Sequence, residues 1–196
     1  RDQAAFVESP GGRRHVVYRG AEGQLHQLAS DPSDNSWRAE AIGAPVSAPV
    51  AAGRPRVYSL ANSGPRILYR GPAGHLHELA RGAAGKDSGH WQHTNLTALL
   101  EQAVATRDPS VVVVNGTPHI VYVDKMCRIH ELWFAGQWQH NQLPAAPRPA
   151  ADVALSYAAS ALHVTYRTMF GAVCEQTLLL RDVEKGQRRW SHRLVF

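Results

Sequence analysis

The chain has 196 residues, of which 44% are hydrophobic and 19% charged, and its formal net charge is +5. This length allows a sizeable core, and an apolar content without any long apolar run argues against a membrane span and against disorder. The positive charge comes mostly from arginines scattered along the chain, so nucleic-acid binding is not expected. The two cysteines, Cys127 and Cys174, do not make a disulfide framework.

Short segments rich in β-forming residues open the chain. The first is "AAFVE", and the second and third lie in "HVVYRGAEGQLHQL", where two apolar runs flank a turn that contains Gly23. Two such runs around a short glycine turn predict a β-hairpin. A fourth segment, "WRAEAI", begins at Trp37. We therefore expect four short antiparallel strands in residues 3–43.

The same order of segments then returns three times. The hairpin motif recurs as "RILYRGPAGHLHEL", "HIVYVDKMCRIHEL" and "HVTYRTMFGAVCEQ", each after a β-rich segment and each before a tryptophan. Four copies at a period of about 50 residues identify a repeat protein. The copies align on Tyr18, Tyr69, Tyr122 and Tyr166, and on the downstream Trp37, Trp91, Trp138 and Trp190.

Four-stranded antiparallel units repeated at this period are typical of propeller blades, which leave only short sheet edges. We predict an all-β, four-bladed β-propeller with four antiparallel strands per blade, in one domain that covers residues 1–196. The blades are expected at about 3–43, 55–97, 110–144 and 152–196. Blades from two or more chains could instead close a larger ring, so a homo-oligomer is an alternative.

The segments between the repeats are rich in alanine and proline. The middle one, "TALLEQAVATRDP", is compatible with a short helix that starts near Asn95 or Thr97 and carries Leu99, Leu100 and Val104 on one side.

The pattern of Tyr, short turn, "LHE" or "IHE", then Trp resembles the fucose-specific β-propeller lectins over essentially the whole chain. The resemblance implies sugar sites between neighbouring blades, each built from an Arg two residues before the repeat's Tyr, a Glu on the next strand and a Trp of the adjacent blade. Position by position, the acidic series is Gln27, Glu78, Glu131 and Glu175. The matching tryptophans are Trp91, Trp138, Trp190 and, across the closure of the ring, Trp37.

The Arg of that pattern is absent, because its position is held by the apolar Val16, Ile67, Ile120 and Val164. Arginines stand three residues further along instead, at Arg19, Arg70 and Arg167. An odd shift along a strand moves a side chain to the opposite face, so these arginines are not simple substitutes. These arginines are still candidate residues near the site. The absence of the Arg at its usual position weakens the inference that the ligand is fucose.

An aromatic face, carboxylates and guanidinium groups together suit a carbohydrate, and several weak sites on one protein raise avidity for a multivalent surface. The leading hypothesis is therefore a lectin-like binding protein with repeated sites between blades. The same repeated Trp and Tyr can instead be core residues, and the repeated Arg and Glu can be ion pairs between blades. Glycans or a small molecule are the expected ligands.

Histidine is abundant, at 11 residues, but the segments expected as innermost strands, such as "SVVVVN" and "VALSYA", contain none. No metal site and no cofactor are therefore predicted, and the recurrent histidines are expected to be hydrogen-bonded blade residues.

An enzyme is the less favoured reading, because the chain shows no G-x-S-x-G, H-E-x-x-H or P-loop motif. Two alternatives remain: a propeller with one small-molecule or catalytic site at the channel mouth, near the symmetry-breaking Cys127 or Cys174, and a protein-interaction scaffold. The compartment is not readable from the sequence, with secretion as one option.

Overall fold

The computed structural model describes residues 4–9, 12–60, 63–81, 90–144, 146–184 and 187–195. It confirms the all-β prediction: the strands form four sheets, each with four antiparallel strands in chain order. Each sheet is one repeat, so the four repeats are blades 1 to 4. Residues 3 and 196 of the predicted blade boundaries lie outside the described residues.

The chain divides into two compact units, residues 1–104 and 105–196, and each unit holds two blades. The strands of the first unit are β1 Ala5–Glu8, β2 Arg14–Arg19, β3 Leu25–Ser30 and β4 Trp37–Ile42 in blade 1, and β5 Arg56–Ser59, β6 Pro65–Arg70, β7 Leu76–Arg81 and β8 Trp91–Asn95 in blade 2. The strands of the second unit are β9 Ser110–Val114, β10 Thr117–Val123, β11 Ile129–Phe134 and β12 Trp138–Gln142 in blade 3, and β13 Ala154–Ala158, β14 Ala161–Arg167, β15 Val173–Leu179 and β16 Trp190–Leu194 in blade 4.

Among the described residues, two short α-helices and one 3-10 helix, Ala44–Val46, lie between the strands. Helix α1, Leu96–Leu99, confirms the predicted helix after β8, and the Asn95 side chain accepts a hydrogen bond from the Ala98 amide at its start. Its packing differs from the prediction, because Leu99 is 61% exposed and the buried residues are Leu96 and Thr97. Helix α2, Leu180–Glu184, was not predicted and follows β15 directly. No described helix is long and apolar enough to cross a membrane.

Each unit has its own core between its two blades. In the first unit, Val17 and Leu25 of blade 1 belong to the same buried cluster as Ile67 and Leu79 of blade 2. In the second unit, Val121 and Ile129 of blade 3 cluster with buried side chains of blade 4 such as Leu178. Because side chains alternate along a strand, every second residue points into this core and its neighbours face the other side of the sheet.

The β2–β3 type of turn explains the repeated glycine. Gly23, Gly74 and Gly171 have φ of 88°, 85° and 86°, a left-handed conformation that suits glycine. The third repeat places Cys127 at this position with φ of 58°. The turn of blade 1 also contacts the segment before blade 2, since the Ala51 amide donates to the Gly23 carbonyl at 2.8 Å.

Candidate functional site

A buried carboxylate lies between the two blades of the second unit. Glu131, in the middle of β11, is fully buried, and its Oε2 accepts hydrogen bonds from Trp190 Nε1 at 3.3 Å and from Arg188 Nε at 3.2 Å. Arg188 Nη2 also donates to Glu131 Oε1, which lies 3.1 Å from His119 Nδ1. Blade 3 supplies the carboxylate and the imidazole, and blade 4 supplies the indole and the guanidinium. Charge-assisted donors from both blades therefore hold the carboxylate.

A cavity of about 210 Å³ opens beside this cluster. The Arg188 guanidinium lies over the Trp133 ring, 3.8 Å from its centroid, and both side chains line the cavity with His119. Further lining comes from the β9–β10 turn and from helix α2, through Val114, Thr117, Leu180 and Val183. The cavity thus combines aromatic and aliphatic surface with cationic and imidazole groups.

The first unit holds a similar arrangement around a different carboxylate. Trp91 Nε1 donates to Glu40 Oε1 at 3.0 Å, and Arg81 Nη1 donates to Glu40 Oε2 at 3.2 Å. The Arg81 guanidinium lies 5.6 Å from the centroid of the Trp91 ring. A cavity of about 170 Å³ adjoins Glu40 and Arg81, and Arg13 and Arg38 also line it.

Gln27, the first member of the predicted acidic series, is buried next to this arrangement. It pairs across the strands with Glu40, so blade 1 carries an amide on its third strand and the carboxylate on its fourth. His15 is buried on the same face, and burial lowers its pKa, an effect that the neighbouring Gln27 opposes. The imidazole is therefore neutral at pH 7.

The other two predicted carboxylates contact cations of their own blade. Glu78 accepts hydrogen bonds from the Tyr58 hydroxyl and from Arg66 Nη1, the latter at 2.9 Å. Burial, and then the charge of Glu78, raise the pKa of Tyr58 well above its usual value. In blade 4, Glu175 Oε1 lies 3.6 Å from His163 Nδ1 and accepts a hydrogen bond from Arg193 Nε at 3.1 Å.

The basic partner of the carboxylate is therefore the residue three positions before the repeat's Tyr. Arg66, His119 and His163 each stand 12 residues before the Glu that they contact. The lectin resemblance implies an Arg one residue later, two positions before the Tyr, and that position faces the other side of the sheet. The signal was present in the sequence as a recurrent His or Arg at this position, and His15 completes the series.

The arginines predicted near the sites lie at the end of the second strand of their blades. Arg19 Nε donates to the Ala51 carbonyl at 2.7 Å, which ties β2 to the segment before blade 2. The Arg70 carbonyl accepts from the Ala52 amide, and the Arg167 carbonyl accepts from the Ala150 amide, both at 2.8 Å. These hydrogen bonds connect the second strand of each of these blades to the neighbouring linker.

Two of the predicted tryptophans, Trp37 and Trp138, contact side chains of their own blade. Trp37 is 44% exposed, with the Arg14 guanidinium 5.4 Å from its ring centroid. Trp138 packs edge-on against Phe134, with the ring centroids 5.6 Å apart. The tryptophans that donate to a carboxylate in the described residues are Trp91 and Trp190.

Recurrent histidines form hydrogen-bonded pairs on the blade face that carries the Tyr. His77 Nδ1 lies 3.0 Å from His93 Nε2, and His130 Nδ1 lies 2.9 Å from His140 Nε2. Burial, with smaller contributions from His93 and His75, lowers the pKa of His77 to about 4. In the part of the chain that the structure describes, no three His, Cys, Asp or Glu side chains converge as a metal site requires.

Asp124 anchors the second of these pairs. Its Oδ2 lies 3.1 Å from His130 Nε2 and accepts a hydrogen bond from Arg128 Nε at 2.7 Å. Burial alone would raise the pKa of Asp124, but hydrogen bonds from Arg128, His130 and the Met126 amide outweigh it and lower the pKa to about 2. Asp124 is therefore ionised throughout the neutral range.

No protein-family model matches the sequence, and no curated protein matches it either. Solved structures do resemble the fold. AofleA from Arthrobotrys oligospora superimposes with a TM-score of 0.71 at 19% identity over 99% of this chain and 56% of that one. A fungal lectin from Aleuria aurantia, described as a six-bladed β-propeller with a novel fucose recognition mode, gives 0.64 at 13% identity over 98% and 62%.

The SapL1 lectin, solved in complex with alpha methyl fucoside, gives a TM-score of 0.62 at 14% identity over 89% of this chain and 58% of that one. The chain thus spans 56% to 62% of the length of these three structures. At such identities the likeness is one of fold, and it establishes that the four sheets are blades of the propeller type found in fucose-binding lectins.

Proposed function

We propose that this protein binds carbohydrate at the cleft between the two blades of each unit. The observation that carries the proposal is the recurrence of one arrangement in both units: a tryptophan N–H and an arginine meet on a carboxylate beside a cavity. Glu131, Arg188 and Trp190 make it in the second unit. Glu40, Arg81 and Trp91 make it in the first.

The chemistry of these clefts suits hydroxylated ligands. In the first cavity, Glu40 can accept from adjacent hydroxyl groups and Arg81 can donate to hydroxyl oxygens. In the second cavity, Arg188 can donate and the Trp133 ring can pack on the apolar face of a sugar, while the buried Glu131 holds Arg188 in place. Cavities of about 210 Å³ and 170 Å³ admit a single monosaccharide rather than a long chain. The similar structures described as lectins with fucose recognition or a bound fucoside support sugar as the ligand class, with fucose first among the candidates.

A glycan array with the labelled protein tests the proposal. Each site is expected to be weak, with a dissociation constant of about 1 mM for a monosaccharide, and multivalent presentation raises the apparent affinity by about a hundredfold. Glu40→Gln and Glu131→Gln remove the charges while keeping the side-chain shape. Glu22→Gln, which changes an exposed Glu on the β2–β3 turn, is the matched control.

Loss of the array signal in the Glu40→Gln/Glu131→Gln double variant, with the signal retained in Glu22→Gln, supports binding between blades. Circular dichroism on all variants separates lost binding from lost folding. A folded wild-type protein that gives no signal on any glycan overturns the proposal.

A further inference from the structure

A second cavity lies at the opposite end of the junction between blades 3 and 4 from the Glu131 cluster. It lies beside the β10–β11 turn and the segment that leaves β12, whereas the Glu131 cavity lies beside the β9–β10 turn and helix α2. Its volume is about 240 Å³. We call it the Cys127 cavity. Its lining includes Cys127, Arg128, Arg148, Tyr166 and Gln176.

The fourfold repeat breaks down around this cavity. The third repeat has Cys127 where the other three have Gly23, Gly74 and Gly171. The fourth repeat has Gln176 where the others have a leucine, and Cys174 where the others have a histidine. The leucines are Leu28, Leu79 and Leu132, and the histidines are His26, His77 and His130.

The corresponding turn in the first unit is packed closely. A Cβ on Gly23 would lie 2.8 Å from the Ala51 carbonyl oxygen, so the turn is packed closely against the linker. Leu79, which stands at the Gln176 position, lies close to the segment that leaves β4, since a Cβ on Gly43 would be 3.6 Å from Leu79 Cδ1. The lining of the Cys127 cavity thus includes two residues, Cys127 and Gln176, that depart from the repeat.

One polar group in this cavity lacks a partner. Gln176 is 2% exposed, and its Nε2 donates to the Tyr166 hydroxyl at 3.2 Å. Gln176 Oε1 is buried and has no hydrogen-bond partner among the described residues. A buried carbonyl oxygen without a partner is unfavourable, so a hydrogen-bond donor brought by a ligand would satisfy it.

The other lining residues indicate an apolar body and an acidic group in the ligand. Ile129, Leu143, Pro147 and Pro149 supply apolar walls that suit a flat or aliphatic body. Of the two arginines, Arg128 is paired with Asp124, with 2.6 Å between Nη2 and Oδ2. Arg148 is exposed at the edge and has no acidic partner in the described part of the chain, so its guanidinium is available to a carboxylate.

We propose that the Cys127 cavity binds a small monocyclic carboxylate that carries a hydroxyl or N–H donor at the far end of its apolar body. The donor binds Gln176 Oε1, the ring lies between Ile129 and the proline-rich segment, and the carboxylate faces Arg148. The site is separate from the proposed sugar clefts, so either proposal can fail alone.

The test uses para-hydroxybenzoate as the probe, with benzoate and phenol as comparators that lack the donor or the carboxylate. Binding is measured by ligand-observed NMR and by the rate at which Cys127 is alkylated, because a bound ligand shields that half-buried thiol. We expect a dissociation constant of about 1 mM or tighter for para-hydroxybenzoate and values about tenfold weaker for each comparator.

Gln176→Leu restores the residue of the other repeats and is expected to weaken binding about tenfold, as is Arg148→Gln. Arg181→Gln, on an exposed side chain of helix α2, is the matched charge control. If Gln176→Leu fails to fold, the binding of para-hydroxybenzoate to Arg148→Gln and the binding of benzoate and phenol to the wild type still test the proposal. No binding at about 10 mM, equal binding of benzoate, or binding unchanged in both variants overturns the proposal.

Discussion

Trp91 donates its indole N–H to Glu40, a carboxylate on the outermost strand of blade 1, at 3.0 Å. In the second unit the equivalent Trp190 donates to Glu131, which lies one strand further in. Because Glu40 pairs directly across the strands with Gln27, the acid has exchanged strands with an amide while the acceptor of the indole is preserved. The two junctions therefore reach the same contact from different positions in the repeat.

This contact should be measurable as a coupling between the two residues. Glu40→Ala removes the acceptor and Trp91→Phe removes the donor, and a double-mutant cycle in urea denaturation is expected to give a coupling free energy of about 1 kcal/mol. The modest value follows from the partial exposure of the Glu40 side chain, 38%, which screens its charge. A coupling indistinguishable from zero would mean that the indole does not depend on this carboxylate.

Glu131 should be far more sensitive than Glu40. Glu131→Ala removes the buried carboxylate to which the largely buried Arg188 guanidinium and the Trp190 N–H donate, and removal of one partner of a buried ion pair costs about 3–5 kcal/mol. The free energy of unfolding, from urea denaturation, should fall by that amount. The double variant Glu131→Leu/Arg188→Met, which removes both charges, should recover most of the loss. No recovery would indicate that packing, rather than the unpaired charge, dominates.

The repeat made much of the fold predictable. Four copies of strand, hairpin and Trp segment specified sixteen strands, because each apolar run and glycine turn repeats the same local choice. Helix α2 escaped prediction because "LLRDVE" continues the apolar end of β15 and the other repeats have no counterpart. The candidate site was only partly predictable. The resemblance to the lectins pairs Glu131 with Trp190. It does not indicate Glu40, because it places the acid on the third strand, where blade 1 has Gln27, and Glu40 stands on the fourth strand.

The histidine pairs predict a dependence of stability on pH. The pKa of His77 is lowered in the folded state to about 4, below its unfolded value of about 6.5, so the unfolded chain binds the proton more readily. The free energy of unfolding should be highest above pH 6.5. Protonation of His77 in the unfolded chain should lower it as the pH falls toward about 4, by on the order of 3 kcal/mol for this group. The groups that contact the His77 imidazole are Tyr69, His75 and His93.

His77→Gln replaces the titrating ring with a neutral hydrogen-bonding side chain. Urea denaturation between pH 4 and pH 7 should show a shallower decline in this variant than in the wild type. Parallel curves for the two proteins would exclude His77 as a source of the slope.

Cys127 should carry a backbone cost that its glycine counterparts avoid. Its φ of 58° is disfavoured for a residue with a Cβ, so Cys127→Gly is expected to raise the free energy of unfolding by about 1 kcal/mol. Gly23→Ala should do the reverse, because its Cβ would lie 2.8 Å from the Ala51 oxygen. Thermal unfolding of both variants checks the pair. A destabilised Cys127→Gly would show that the thiol contributes packing worth more than the strain.

The two cysteines differ in access, since Cys174 is buried while Cys127 is half-exposed at the mouth of its cavity. A maleimide should therefore react at one atom of the native chain without any engineered residue. A biotin attached there would hold the second unit on a sensor surface in a single orientation, with the Glu131 end of the junction turned toward the solution. Surface-based glycan measurements could then be made with uniform presentation rather than with the mixed orientations that random lysine coupling produces.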